Sequence, residues 1–246
     1  MKITEKLEQH RQTSGKPTYS FEYFVPKTTQ GVQNLYDRMD RMAVDVLSHL
    51  STDLVATAQS VLGLETCMHL TCTNMPISMI DDALENAYHS GCQNILALRG
   101  DPPRDAENWT PVEGGFQYAK DLIKYIKSKY GDHFAIGVAG YPECHPELPN
   151  KDVKLDLEYL KQKIDAGGDF IITQMFYDAD NFINWCSQVR AAGMDVPIIP
   201  GIMPITTYAA FLRRAQWGQS PSLNISRPDW ILSRTMTSWS VISELT

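Results

Sequence analysis

From residue 65 onward the chain alternates between apolar, β-favouring runs of four to eight residues and helix-patterned stretches of ten or more. The strand-like runs cover 65–72, 94–98, 134–139, 170–176 and 196–202, and the helical stretches cover 78–90, 116–130, 155–166, 179–192 and 206–217. Gly91, Gly131 and Gly193 follow three of these helices, where a left-handed residue closes the last turn. Repeated strand–helix units of this length pack as a parallel sheet covered by helices. No Gly-rich turn of the dinucleotide-binding kind follows the first strand, so a barrel is preferred over a doubly wound sheet. The pattern predicts an α/β protein, a TIM (β/α)8-type barrel.

The N-terminal third fits less regularly. An amphipathic start covers 3–10, a Tyr-, Phe- and Thr-rich strand covers 18–26, and helices cover 31–42 and 51–63. The strand sets the carboxylate of Glu22 between aromatic residues, and a strand covered on both faces would bury it. Burial favours the protonated acid, and such a group can give up a proton. Only residues 43–50 separate the two helices, which leaves no room for a full strand with its turns. With that strand missing, six strands are counted. Residues 220–246 show no clean period and no eighth βα unit. The expected organisation is therefore an incomplete barrel over 1–219 followed by an atypical tail over 220–246.

A length of 246 residues suits one such barrel. A net charge of −7, with no cluster of Lys and Arg among aromatics, argues against a nucleic-acid partner. No apolar run approaches the roughly 20 residues of a membrane span, and no secretory or transit segment is recognisable, so a cytoplasmic protein is expected. The five cysteines form no CxxC and read as reduced packing thiols.

In a barrel of this kind the chemistry sits where strands run into the following loops. Those positions here are Glu22, then His69 and Thr71, then Arg99, Gly100 and Asp101, then Tyr141, Glu143 and His145, then Gln174 and Tyr177, then Met203 and Pro204. Each has a bland alternative. Asp101 and Arg99 could be an ion pair holding their loop, and His69 a satisfied core histidine. Asp156 and Lys163, seven residues apart on one helix, could be a solvated charged face. A metal at His69, Asp101 and His145, serving a barrel hydrolase, would have to be assembled from scattered parts. P-loop, Rossmann and nucleophile-elbow signatures are absent from the sequence.

Taken together, Ser20-Phe21-Glu22-Tyr23-Phe24 with Pro26-Lys27-Thr28, His69-Leu70-Thr71, Leu98-Arg99-Gly100-Asp101, Tyr141-Pro142-Glu143-x-His145-Pro146 and Thr173-Gln174-x-Phe176-Tyr177-Asp178 resemble methylenetetrahydrofolate reductase, in its eukaryotic, fungal-like form. Order and spacing match from about Thr18 to Gln219. The resemblance implies a flavoprotein oxidoreductase of one-carbon metabolism and methionine biosynthesis, with FAD at the strand C-terminal ends. It implies NAD(P)H, with NADPH favoured, and methylenetetrahydrofolate, free or polyglutamylated, using the flavin in turn in a ping-pong hydride transfer. By position, Glu22 matches the general acid, Asp101 a carboxylate near flavin and pterin, and Gln174 and Tyr208 substrate contacts. His69, Leu98, Arg99, Gly100, Asp101, Tyr118, Ala119, Tyr141, His145, Asp156 and Lys163 match cofactor-binding positions. No resident metal is implied, and a homo-oligomer is. A competing expectation is a shortened, weakly active or inactive variant that binds flavin, folate or a partner subunit.

Overall fold

The computed structural model describes residues 1–14, 18–24, 26, 28–42, 46–49, 52–73, 75–100, 114–176 and 178–202. In chain order the elements are α1 (Ile3–Thr13), β1 (Phe21–Phe24), α2 (Thr29–Met42), β2 (Val46–His49), α3 (Thr52–Ser60), β3 (Thr66–Thr71), α4 (Ile77–His89), β4 (Asn94–Leu98), α5 (Ala119–Tyr130), β5 (Ala135–Gly140), a short 3₁₀ turn at Pro149–Lys151, α6 (Val153–Asp165), β6 (Phe170–Thr173), α7 (Ala179–Ala191) and β7 (Ile198–Ile199). The strands stand in the sheet in the order of the chain, β1 to β7. The described pairings are all parallel, as repeated βα units require.

One expectation is corrected. A second strand does exist between α2 and α3: Val46 pairs with Phe21 on one side and Thr66 on the other. The sequence reading assumed a full-length strand with turns, whereas β2 has four residues. Parallel pairing along both edges compensates for its shortness, and that pairing is invisible in an isolated window. The helix expected over 206–217, the 219/220 boundary and the tail lie outside the described residues, and the described sheet is one strand short of eight.

The chain divides into two compact units, Met1–Val138 with Asp165–Asp169, and Ala139–Ile164 with Phe170–Thr246. In the first, α4 buries Ile80, Ala83, Leu84 and Ala87 and α5 buries Ala119, Leu122, Ile123 and Ile126, each set falling on one helical stripe.

 β4 buries Asn94, Ile95, Leu96 and Ala97 in succession, as a parallel strand covered on both sides does. Helix α1 buries no residue of its own. It is held by its first residues at the N-terminal ends of the strands: Ile3 N–H donates to Asn94 Oδ1 at 2.7 Å, and Asn94 Nδ2 donates to Thr66 O at 3.1 Å and Met1 O at 3.2 Å. Asn94, fully buried, is thereby satisfied on both ends of its amide.

In the second unit Phe176 stacks on Phe182 at 4.3 Å, and Trp185 is buried beside them. Gly140 closes β5 where a Cβ would fall 2.8 Å from Ile171 Cγ2 and from the Trp185 ring, so only glycine fits without repacking. Asp178 caps α7 by accepting from Asn181 N–H at 3.0 Å. Cys67, Cys72, Cys92 and Cys144 are buried and Cys186 is partly buried, all as free thiols. Among the described residues no helix is long and apolar enough to cross a membrane.

Candidate functional site

The sequence-predicted residues fall into one group in each unit. In the first unit, β3 and β4 run side by side with His69 in register with Leu96 and Thr71 with Leu98. Glu22 pairs with Leu47 and Leu47 with Cys67, so Glu22, Cys67 and, two residues along, His69 share a face of the sheet. The side-chain nitrogens of His69 are enclosed by the fold. Glu22 is exposed, which corrects the expected buried carboxylate. The reason is topological: among the described residues β1 has a strand neighbour, β2, on one side only.

Beyond the ends of these strands the chain stays stitched together. Cys72 N–H donates to Leu98 O at 3.0 Å and Thr73 N–H to Arg99 O at 2.9 Å, while the Thr73 hydroxyl donates to the same Arg99 carbonyl. Gly100 then takes a φ of +91° with its α-carbon against Thr71 and Thr73, where a Cβ would lie 2.8 Å from Thr73 Oγ1. The positive φ and the close approach each select glycine. Tyr118, 45% exposed, precedes Ala119 at the start of α5, and its N–H donates to the Asp121 carboxylate at 3.2 Å. Lys120 Nζ stands 5.5 Å from the centre of the Tyr118 ring.

The second unit brings four predicted residues together. Asp156 and Lys163 lie seven residues apart on α6 and share one face of it. Asp156 is only 8% exposed; burial pushes its carboxyl up to about 6, against the opposing pull of Lys163 and a hydrogen bond from His145 N–H. Burial likewise pulls the Lys163 amine down to about 8, with Asp156 acting the other way. This corrects the solvated-face alternative. Lys163 Nζ donates to Ala139 O at 2.6 Å and stands 5.8 Å from the centre of the Tyr141 ring, which meets the His145 ring edge-on at 4.5 Å. His145 Nδ1 accepts from Glu147 N–H at 3.2 Å. The turn that carries His145 is closed by Cys144 N–H to Tyr141 O at 3.0 Å, with Cys144 in the left-handed region at φ +66°. A cation, an imidazole, a phenol and a proton-poised carboxyl on one scaffold can hold an anionic, hydroxyl-rich ligand.

Gln174 is exposed after β6, and its N–H donates to Gly140 O at 2.8 Å. Asp101 and Tyr208 lie outside the described residues, as do Tyr177, Met203 and Pro204. No group of three metal-ligating side chains occurs among the described residues. Sequence reasoning missed Thr73 and Cys144. Thr73 continues the two-residue spacing of His69 and Thr71, a signal that was there to follow; the left-handed turn at Cys144 leaves no mark in composition.

The sequence matches the family model described as methylenetetrahydrofolate reductase over residues 6–237. The chain belongs to the methylenetetrahydrofolate reductase family. It is 88% identical over 249 residues to methylenetetrahydrofolate reductase 2 of Saccharomyces cerevisiae, an alignment covering 95% of this chain and 41% of that protein. It is 52% identical over 231 residues to methylenetetrahydrofolate reductase 1 of Schizosaccharomyces pombe, covering 88% of this chain and 38% of that one. The chain thus spans about two fifths of the length of these relatives. The Saccharomyces alignment is longer than the 246 residues of the whole chain, so part of the relative within it has no counterpart here. A solved structure described as an uncharacterized protein from Clostridium thermocellum that binds two copies of 5-methyl-5,6,7,8-tetrahydrofolic acid is similar at a TM-score of 0.54 and 16% identity, covering 97% of this chain and 86% of that one. That likeness concerns the fold. The expected barrel family is borne out: the chain has a parallel α/β sheet of the TIM-barrel type, incomplete among its described residues.

Proposed function

We propose that the chain is a catalytic barrel that reduces 5,10-methylenetetrahydrofolate to 5-methyltetrahydrofolate with NAD(P)H through FAD. The observation that carries this reading is the 88% identity to the Saccharomyces reductase across 95% of the chain. The residues present suit a flavin dinucleotide. Gly100 ends its strand without a side chain, its backbone held close against Thr71 and Thr73, while Arg99 and Lys163 can supply positive charge and His145 a ring N–H to a diphosphate in a protein of net charge −7. His69, Leu98, Tyr118, Ala119, Tyr141 and Asp156 complete the proposed cofactor set, with Asp101 between flavin and folate.

FAD, when bound by these residues, would supply the hydride chemistry that links the nicotinamide as donor to the folate as acceptor. The protein's part is binding and proton delivery. Glu22 is the proposed general acid that protonates the folate ring nitrogen as the five-membered ring opens. Since Glu22 is exposed in the chain by itself, docked folate rather than the sheet would enclose its carboxyl. Gln174 would bind the pterin through its amide, and Tyr208 would pack on the folate. Both nicotinamide names occur among relatives, NADH for the Arabidopsis protein at 46% identity and NADPH for the Caenorhabditis protein at 37%; NADPH is the proposed preference. Cytosolic location, homo-oligomeric assembly, polyglutamylated substrate and a barrel domain over 1–219 belong to the same proposal.

The test is anaerobic. Purified chain reconstituted with FAD should bleach with NADPH, more slowly with NADH, and recover its colour on adding methylenetetrahydrofolate. Glu22→Gln should keep the bleaching and lose the recovery; loss of both steps removes Glu22 from the acid role, and failure to bind FAD overturns the whole reading. A second reading, a variant that binds flavin, folate or a partner subunit without turnover, is favoured by the residues of the Saccharomyces relative that have no counterpart here. Bleaching without recovery in the unsubstituted chain would select it.

A further inference from the structure

The Arg99 carbonyl accepts two hydrogen bonds from one residue, Thr73: the backbone N–H at 2.9 Å and the side-chain hydroxyl. Two donors on one oxygen fix the plane of the Arg99–Gly100 peptide. Carbonyl and N–H of a trans peptide point in opposite directions. With the carbonyl aimed at Thr73, the Gly100 N–H is aimed away from β3. The same threonine also bounds Gly100 from below, since a Cβ there would sit 2.8 Å from Thr73 Oγ1 and 3.0 Å from Thr73 Cβ. Thr71 completes the wall, its Cβ 3.2 Å from the same point. Rotation of the peptide plane would break both bonds and press the backbone into this wall, so Thr73 sets where the Gly100 N–H points and how close a ligand can come.

We propose that Thr73 is a positioning residue for the flavin: through its grip on the Arg99 carbonyl it presents the Gly100 N–H as a fixed donor to a polar edge of the isoalloxazine. This deepens the reading given under Proposed function and rests on it. Thr73 touches no reacting atom; it acts through the Arg99–Gly100 peptide. A hydroxyl is needed for the second bond and a backbone N–H for the first, so serine should substitute and valine, which has nearly the same shape, should not.

The experiment compares the unsubstituted chain with Thr73→Val and Thr73→Ser, each freed of flavin and titrated with FAD by fluorescence quenching, with the visible absorption band of the flavin recorded at saturation. Losing one net hydrogen bond of this kind corresponds to about fivefold in affinity. Thr73→Val should bind FAD about fivefold more weakly and shift the bound flavin band, while Thr73→Ser keeps both near those of the unsubstituted chain. A purely structural role would leave the band of the saturated protein in place. Valine matching the unsubstituted chain in either readout, or serine following valine, overturns the proposal. If Thr73→Val yields no folded protein, Thr73→Ala is read against Thr73→Ser on the same two measures. An unsubstituted chain that binds no FAD is a separate outcome: it overturns the reductase reading itself and this proposal with it.

Discussion

Asp156 and Lys163, two helical turns apart on one face of α6, have proton affinities drawn toward each other, the carboxyl up to about 6 and the amine down to about 8. Between those values both are charged. Burial is the leading cause in each case and works against the charged form, so the pair detracts from stability around neutrality. A helix selected for stability alone would place apolar groups there, and that supports a ligand-binding role.

The pH dependence follows in sign. The Asp156 carboxyl binds its proton more tightly in the folded chain, up to about 6 against an ordinary 3.8, so its contribution is present below pH 4 and is lost as pH rises toward 6. Lys163 releases its proton more readily when folded, at about 8 against an ordinary 10.5, so its contribution grows as pH rises from 8 toward 10. Asp156→Asn should abolish the limb between pH 4 and 6 and, because the Asp156 carboxylate holds the Lys163 amine up against burial, should enlarge the alkaline limb and start it at lower pH. Urea unfolding of the flavin-free protein across that range measures it; an acid limb that persists in the variant assigns it to another group.

Gly100→Ala should destabilise by about 1–3 kcal/mol, since it adds a Cβ at positive φ against Thr71 and Thr73. Gly63→Ala, at φ +66° with no described residue within 4 Å of its Cβ, isolates the backbone part and should cost about 1 kcal/mol. Equal losses at the two sites would show that the wall at Gly100 yields freely. Chemical denaturation of both variants decides it.

Asn94→Asp removes the two donations from Nδ2 and leaves a carboxylate facing the carbonyls of Thr66 and Met1. The expected loss is about 2–4 kcal/mol. Because α1 buries no side chain of its own, it should detach first, and limited proteolysis should cut within 3–13 before the rest of the chain. Cleavage elsewhere first would show that Asn94 does not tether the helix.

Trp185→Phe should be mild, about 1 kcal/mol or less. The indole N–H is buried without a hydrogen-bond partner among the described residues, so the substitution removes an unsatisfied donor while keeping most of the ring that packs against Phe182. A loss above about 3 kcal/mol, read from thermal unfolding, would mean that the lost ring volume dominates.

Much of the site was legible because its residues sit where strands end. His69, Arg99 and Gly100 were placed by the strand boundaries at 71 and 98, and Tyr141 and His145 by the end of β5. Asp156 and Lys163 were read as a pair from their spacing, but not as a buried one, because the residues that shield them come from β5 and the turn at Tyr141–His145, some twenty residues upstream. Thr73 escaped because its partner, Arg99, is 26 residues away.

The sequence by itself determined the βα alternation, since periods of two and 3.6 are properties of neighbouring residues and need no knowledge of the fold. It also determined the family, through short motifs in fixed order. Only the tertiary structure decided that Val46–His49 is a strand, because four residues become one when both edges are paired. It decided, too, that Glu22 meets solvent while Asp156 does not. Exposure is set by whatever packs against a side chain, and for both carboxylates that lies on other elements of the fold.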